Sequence, residues 1–147
     1  MSAITDFRGP YRWLSNFQQV DVCLDGVVYP TTEHAYQAAK TLDRVERDEI
    51  RRAETPGKAK RLGQLVALRP DWDVVRVEVM LDLQRQKFAH GELRAQLLNT
   101  RDAELVEGNT WGDRFWGVCD GQGLNWLGRL LMQVRDELRS SASASQL

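Results

Sequence analysis

The twelve residues from Tyr29 to Lys40 (Tyr-Pro-Thr-Thr-Glu-His-Ala-Tyr-Gln-Ala-Ala-Lys) most constrain what this chain can fold into. Pro30 ends a strand, and Thr31 or Thr32 can open a helix by accepting an otherwise orphaned backbone N–H. Residues four and seven apart share a helix face, so Glu33, Gln37 and Lys40 line up, with His34 and Tyr36 near the edges. At about 1.5 Å of rise per residue, Glu33 and Lys40 stand roughly 10 Å apart along the axis. That distance is too long for a direct ion pair and suits the flanking of a bound sugar. Helices normally turn apolar groups toward the core. Here the small apolar residues are alanines, which let the polar stripe approach a ligand and predict a solvent-facing Glu33. The helix dipole alone also favours a glutamate in the first turn and a lysine near the end, so the stripe by itself leaves a purely structural role open.

The bulk of the chain sets the class. Its 147 residues suffice for one domain with a real core, and 42% hydrophobic with 28% charged residues is ordinary for a soluble globular protein. A net charge of −1 gives no global attraction to nucleic acid, so polyanion binding would need a local patch. No stretch approaches a membrane span and the N-terminus lacks a signal-peptide pattern, so the expected location is the cytoplasm, with no membrane partner. Cys23 and Cys119 lack metal-type spacing and read as reduced thiols. With His34 and His90 the only histidines, no metal site and no cofactor are expected.

Along the chain, Asp25-Gly26 separates Gln19 to Leu24 from Val27 to Tyr29, a strong hairpin signal. Asp43 with Glu46 three residues on resembles a capping box, predicting a charged helix through Ala53. Thr55-Pro56 predicts another helix to about Ala67. After the break at Arg69-Pro70-Asp71, Trp72, Val75, Val79 and Leu83 recur at helical spacing, predicting the longest helix, to about Ala89. Leu93, Leu97 and Leu98 mark a short helix, Leu105 to Glu107 a brief strand. Leu127, Leu130, Leu131, Val134 and Leu138 form the stripe of a last helix. The fold class is therefore mainly α (α+β), one compact helical domain over residues 1–139 with a small β-hairpin near its start. Residues 140–147, rich in serine and alanine, read as a disordered tail.

A second constellation runs from Asn109 to Asn125, rich in glycine and tryptophan. Trp111, Phe115 and Trp116 offer flat faces for stacking a base, and glycines permit close backbone approach. The loop feeds the last helix, whose first N–H groups can hold a phosphate. It lacks a dinucleotide fingerprint, since Trp126 stands where the third glycine would fall. A glycine-rich surface loop anchored by buried tryptophans is the alternative. One tryptophan is expected at the site and one in the core, with Trp116 at the site because Gly117 lies beside it. The basic cluster Arg51, Arg52, Lys58, Lys60 and Arg61 reads as a solvated helix face or as a phosphate-binding edge.

In this order, the pieces resemble the NADAR (YbiA-like) superfamily. The matching elements are Leu14-Ser15-Asn16-Phe17, the segment from Tyr29 to Lys40, Trp116-Gly117, Asp120-Gly121-Gln122-Gly123, Asn125, and Leu127-Gly128-Arg129-Leu130-Leu131-Met132. The resemblance spans about Phe7 to Leu138. It implies a compact, mostly helical fold and N-glycosidase activity, either on phosphoribosylamino-pyrimidine intermediates of riboflavin synthesis or on ADP-ribosylated guanine. It matches the family's glutamate to Glu33, its lysine to Lys40, and its acidic residue before Trp-Gly to Asp113.

What the resemblance implies chemically is the breaking of a ribosyl C1′–N bond, with positive charge building on the sugar and negative charge on the leaving base. Glu33 is then expected to orient water or a ribose hydroxyl and stabilise the cation. Lys40 either holds a phosphate or the leaving group as a cation, or attacks an opened sugar as a neutral amine. Asp113 is a candidate second acid/base. Asn16, Gln37 and Asn125 suit hydrogen bonds to ribose or base, and Trp111 and Trp116 suit stacking. The motifs add Phe17, His34, Tyr36 and Gly117 to the candidate substrate-binding set. The expected substrate is a ribosylated nucleobase, first ADP-ribosylated guanine in DNA, in a toxin-system context that the resemblance allows. The rivals are riboflavin intermediates and a non-catalytic ADP-ribose-binding module, which retention of Glu33 with Lys40 argues against.

Overall fold

A computed structural model describes residues 2–145 of the chain. Its contacts fall into two compact units, Asn16–Lys87 and a second formed by the residues up to Ser15 with those from Phe88 onward. Its class is the expected one, mainly helical with, among the described residues, one two-stranded antiparallel sheet.

In the unit Asn16–Lys87, β1 (Gln19–Leu24) pairs antiparallel with β2 (Val27–Thr31). Asp25 and Gly26 both take positive φ, 49° and 83°, which is the two-residue turn whose twist matches paired strands. Val20 and Val22 point inward while their neighbours face out, the period of two that a half-buried strand requires. The Gln86 side chain both donates to the Cys23 carbonyl (2.8 Å) and accepts from its N–H (2.6 Å), covering backbone groups on the sheet edge. β2 runs through Pro30 to Thr31, one residue past the expected stop, because proline is tolerated where no ladder N–H is needed.

Thr31 caps α1 (Thr32–Ala39), accepting the His34 N–H at 3.0 Å. α1 packs against both strands and against α2 (Arg44–Arg51), α3 (Pro56–Gly63) and α4 (Trp72–Lys87). All eight of its residues are buried. The solvent-facing polar stripe expected for this helix is thus corrected: the alanines let neighbouring elements close around it, and Glu33 keeps only 7% of its surface exposed.

Asp43 caps α2 as expected, through the N–H groups of Val45 and Glu46. Glu46 does not reach back to complete the capping box. Its carboxylate accepts from the Thr41 hydroxyl (2.6 Å) and from the Ala67 N–H (3.2 Å). The second bond explains why α3 stops at Gly63 instead of reaching Ala67: the Ala67 N–H is taken by Glu46 rather than by a helical carbonyl. On α4 the buried line is Trp72, Met80, Leu83, Gln84 and Lys87, turned slightly from the expected Val75 and Val79, which are half-buried.

In the other unit, a 3-10 turn over Gly9–Leu14, unforeseen in the sequence, precedes α5 (Gly91–Asn99) and α6 (Trp126–Ser145). Leu93, Leu97, Leu127, Leu130, Leu131 and Val134 form its core stripe, each fully buried side chain contributing about 1.5–3 kcal/mol. The expected strand at Leu105 to Glu107 reduces to one parallel bridge, Ile4 with Leu105. The buried Arg135 donates to the Thr100 hydroxyl (2.9 Å) and the Ala103 carbonyl (2.8 Å), tying α6 to the end of α5. α6 continues to Ser145, where a disordered tail from residue 140 was expected. Alanine and serine let a helix already nucleated on the core propagate. Gln146 and Leu147, the remainder of that expected tail, lie outside the described residues.

Candidate active site

The first group of candidate residues gathers around α1. The Glu33 N–H donates to the Asn16 carbonyl (3.0 Å), so the loop before β1 sits on the helix N-terminus. The Asn16 side-chain oxygen accepts from Gln84 (2.6 Å), and its amide nitrogen lies 3.7 Å from the Met80 sulfur. Four residues beyond Glu33, Gln37 donates to the Glu33 carboxylate at 3.2 Å. Tyr36 packs its ring against Trp72, centroids 5.3 Å apart. Lys40 closes the helix with its ammonium 5.6 Å from the Tyr36 ring centroid. Burial pushes the Lys40 pKa down from that of an ordinary lysine, the Glu33 charge works in the opposite sense, and Lys60 adds to the lowering. Phe17, next in sequence to Asn16, is 37% exposed.

His34 has a different place from the one expected. Its Nε2 donates to the Ala53 carbonyl (3.0 Å), which only accepts, so Nδ1 is the acceptor for the Thr31 hydroxyl (2.7 Å). Both ring nitrogens are thereby committed to protein partners, and the residue is 2% exposed. It braces the start of α1. Elsewhere in this unit the Thr32 hydroxyl and the side-chain oxygens of Gln37 and Gln84 are buried without a hydrogen-bond partner.

The second group lies in the other unit, on the long loop before α6. Asp113 uses one carboxylate oxygen to accept the N–H groups of Phe115 (3.1 Å) and Trp116 (2.9 Å). Asn109 holds Asp113 from both sides, donating to its carbonyl and accepting its N–H. Asp113 therefore shapes the loop that carries Trp116. Asn125 donates to the Leu105 carbonyl (2.9 Å) and accepts the Glu107 N–H (3.0 Å), so its amide too is spent inside the protein. A side chain at Gly117 would strike Glu107 and Asn109 rather than open space. Trp116 is half-buried edge-on to Phe115, while Trp111 is 56% exposed and is not a core anchor. The first N–H groups of α6 do not form the phosphate cradle expected. Those of Trp126 and Leu127 bond to the carbonyls of Phe115 and Trp116.

Part of the basic cluster has acidic neighbours. Arg51 and Arg52 pair with Asp48, and Lys58 with Glu54. Among the described residues no group of three or more histidine, cysteine or acidic side chains is arranged to hold a metal ion. No helix among them is long and apolar enough to cross a membrane.

The sequence reading passed over two buried polar residues of α4. Gln84 orients Asn16, and Lys87 is fully buried, with burial lowering its pKa to about 7. Lys87 falls four residues after Leu83, where the apolar stripe should next recur. A lysine at a stripe position was the available signal.

With this geometry in view, the comparisons are specific. The NADAR domain model matches residues 5–139. The N-glycosidase YbiA of Escherichia coli (strain K12) is 45% identical over 132 residues, covering 87% of this chain and 82% of that protein. The riboflavin biosynthesis protein VVA0006 of Vibrio vulnificus is 42% identical over 136 residues, 90% of this chain but 37% of its own length. An NMR structure of the E. coli protein YbiA matches with a TM-score of 0.85 at 41% identity, covering 96% of this chain and 87% of the other. The chain is a hydrolase of the class that acts on N-glycosyl compounds. It belongs to the NADAR family.

Proposed function

We propose that this N-glycosidase cleaves the C1′–N bond of a ribose carried on an exocyclic base nitrogen, removing ADP-ribose from guanine in nucleic acid. The observation that carries the ribosyl chemistry is the pairing on one short helix of a carboxylate, Glu33, held by Gln37, with an amine, Lys40, that burial disfavours as a cation. The bond breaks with its electrons going to the base nitrogen, which takes a proton. Glu33 stabilises the positive charge left at C1′ and accepts a proton from the water that attacks it. Lys40 has two routes open. As a cation it steadies a phosphate or the leaving group. As a neutral amine it adds to C1′ of the ring-opened sugar, which the exocyclic nitrogen holds as an imine. The base leaves as its protonated amine, and water hydrolyses the lysine Schiff base that remains, releasing the sugar aldehyde. Tyr36, Gln37, Asn16 and Phe17 surround this chemistry. The exposed indole of Trp111 supports a nucleobase substrate, since an aromatic face stacks on any base. Asp113, Gly117 and Asn125 hold the loop in shape, and Trp116 stands edge-on to Phe115 within it.

A second reading is hydrolysis of phosphoribosylamino-pyrimidine intermediates. Two observations favour it. Relatives from Vibrio vulnificus and Zea mays bear the name riboflavin biosynthesis protein. The pairing of Arg51, Arg52 and Lys58 with acidic neighbours also leaves less free positive charge for a polynucleotide. Incubation with ADP-ribosylated guanine DNA and with the pyrimidine ribosides, side by side, separates the readings. Release of ADP-ribose from the DNA supports the first. Turnover of the pyrimidine ribosides alone overturns it in favour of the second.

A further inference from the structure

Gly63 ends α3 against α1, and the space that it leaves empty is filled by one side chain. A methyl group at this position would lie 2.8 Å from Cδ and 2.9 Å from Cβ of Gln37, and nearer still to its Oε1. Gly63 takes no left-handed conformation that would by itself demand glycine. Close approach of another group accounts for it. The approaching group is the residue that donates to Glu33 at 3.2 Å. The amide has one orientation that works. Turned over, it would set its oxygen against the Glu33 carboxylate. As it stands, its oxygen lies against the Gly63 backbone, buried and without a hydrogen-bond partner. A glutamine that leaves one end unsatisfied is held by shape at that end and by Glu33 at the other. The floor that holds it is a bare backbone.

We infer that Gly63 and Gln37 are positioning residues for the Glu33 carboxylate, Gly63 acting only through Gln37. This rests on the reading of Glu33 as the group that acts at C1′. Adding one methyl group at Gly63 would push the Gln37 amide off its floor and turn or release the Glu33 carboxylate, without altering the chemical identity of any group at the sugar. A misplacement on the order of 1 Å at a reacting group can lower turnover about 100-fold.

The test is a double-mutant cycle between Gly63→Ala and Gln37→Gly, read as kcat and KM on whichever of the two substrates above the wild type turns over. Gly63→Ala is expected to lower kcat about 100-fold with KM unchanged, the signature of an interaction that matters in the transition state only. Gln37→Met, which keeps the bulk against Gly63 and removes the donor, is expected to do the same. In the Gln37→Gly background, Gly63→Ala is expected to cost nothing further, because all three atoms nearest the methyl, Cβ included, are then gone. Additive losses overturn the inference. So does a Gly63→Ala protein that melts earlier but keeps its kcat per folded molecule. Should Gly63→Ala not fold alone, folding of the double variant at the Tm of Gln37→Gly supports the clash, and its failure to fold overturns it. Two controls separate this inference from the reading beneath it. Full activity of Glu33→Gln would remove the role of Glu33 in the chemistry. The Gln37 side-chain amide resonances, followed by NMR, are expected to shift in both Glu33→Gln and Gly63→Ala whatever the substrate. Resonances that ignore both changes overturn the positioning contact itself.

Discussion

At the scale of the residue, the two ends of α1 carry different predictions. Glu33→Gln keeps the shape of the side chain and an oxygen that can still accept from Gln37. For a buried carboxylate at a helix N-terminus the dipole interaction at stake reaches about 2 kcal/mol, so the melting temperature should move by no more than about 8 °C. Turnover should fall by about 100-fold or more, the range that a positioned acid or base supplies. Initial rates and a thermal melt on the same sample check both halves. At Lys40, burial shifts the balance toward the neutral amine, and a carbonyl ligand that excludes water would push further in that direction. Borohydride added during turnover should then trap a sugar adduct on Lys40 in the wild type and none in Lys40→Ala. A clamp would instead leave Lys40→Arg partly active with the defect in KM. An adduct on Lys58 or Lys60 would count against Lys40.

Individual elements show where the chain was legible and where it was not. Asp25-Gly26, Asp43 and Thr55-Pro56 are local signals whose chemistry acts within four residues, and the hairpin and both helix starts stand where these predict. A second Asp-Gly pair, Asp120-Gly121, makes the same kind of turn with φ of 52° and 74° between Cys119 and Gln122, and could have been read the same way. Side-chain partners distant in sequence were not legible. Nothing near Glu46 announces Ala67, and nothing near Gln37 announces Gly63. Among the candidate site residues, His34 and Asn125 satisfy backbone groups that only the fold brings to them, whereas Asp113 accepts from N–H groups two and three residues on, a local turn that the sequence could have shown. The loop therefore makes a distinct prediction. Asp113→Ala removes an acceptor shared by two N–H groups and should cost about 1–3 kcal/mol of stability, measured by denaturant unfolding. Trp111→Ala, at an exposed position, should leave stability within about 0.5 kcal/mol and weaken base-containing ligands by roughly 1–3 kcal/mol.

Taken whole, the molecule should depend on pH through Lys87, the lysine that folding removes fully from water. Its ordinary pKa is 10.5, and burial brings it to about 7 in the folded protein. Above 10.5 the amine is neutral in both states and no charge is buried. Between the two values the unfolded chain holds a proton that the folded one has given up, so stability rises with pH across this window. As pH falls through about 7 the folded protein takes up the proton and this stability is lost. A surface lysine contributes no such slope, because its pKa is alike in both states. Lys87→Met keeps most of the side chain's length and removes the titration. The difference in unfolding free energy between wild type and variant should therefore change by up to about 1.4 kcal/mol per pH unit from pH 7 toward pH 10, in favour of the wild type. Urea unfolding of both proteins at several pH values reads it directly. A difference that stays flat over that range would mean that Lys87 keeps its proton when buried, stabilised by the groups around it. The slope would then have to come from elsewhere in the chain.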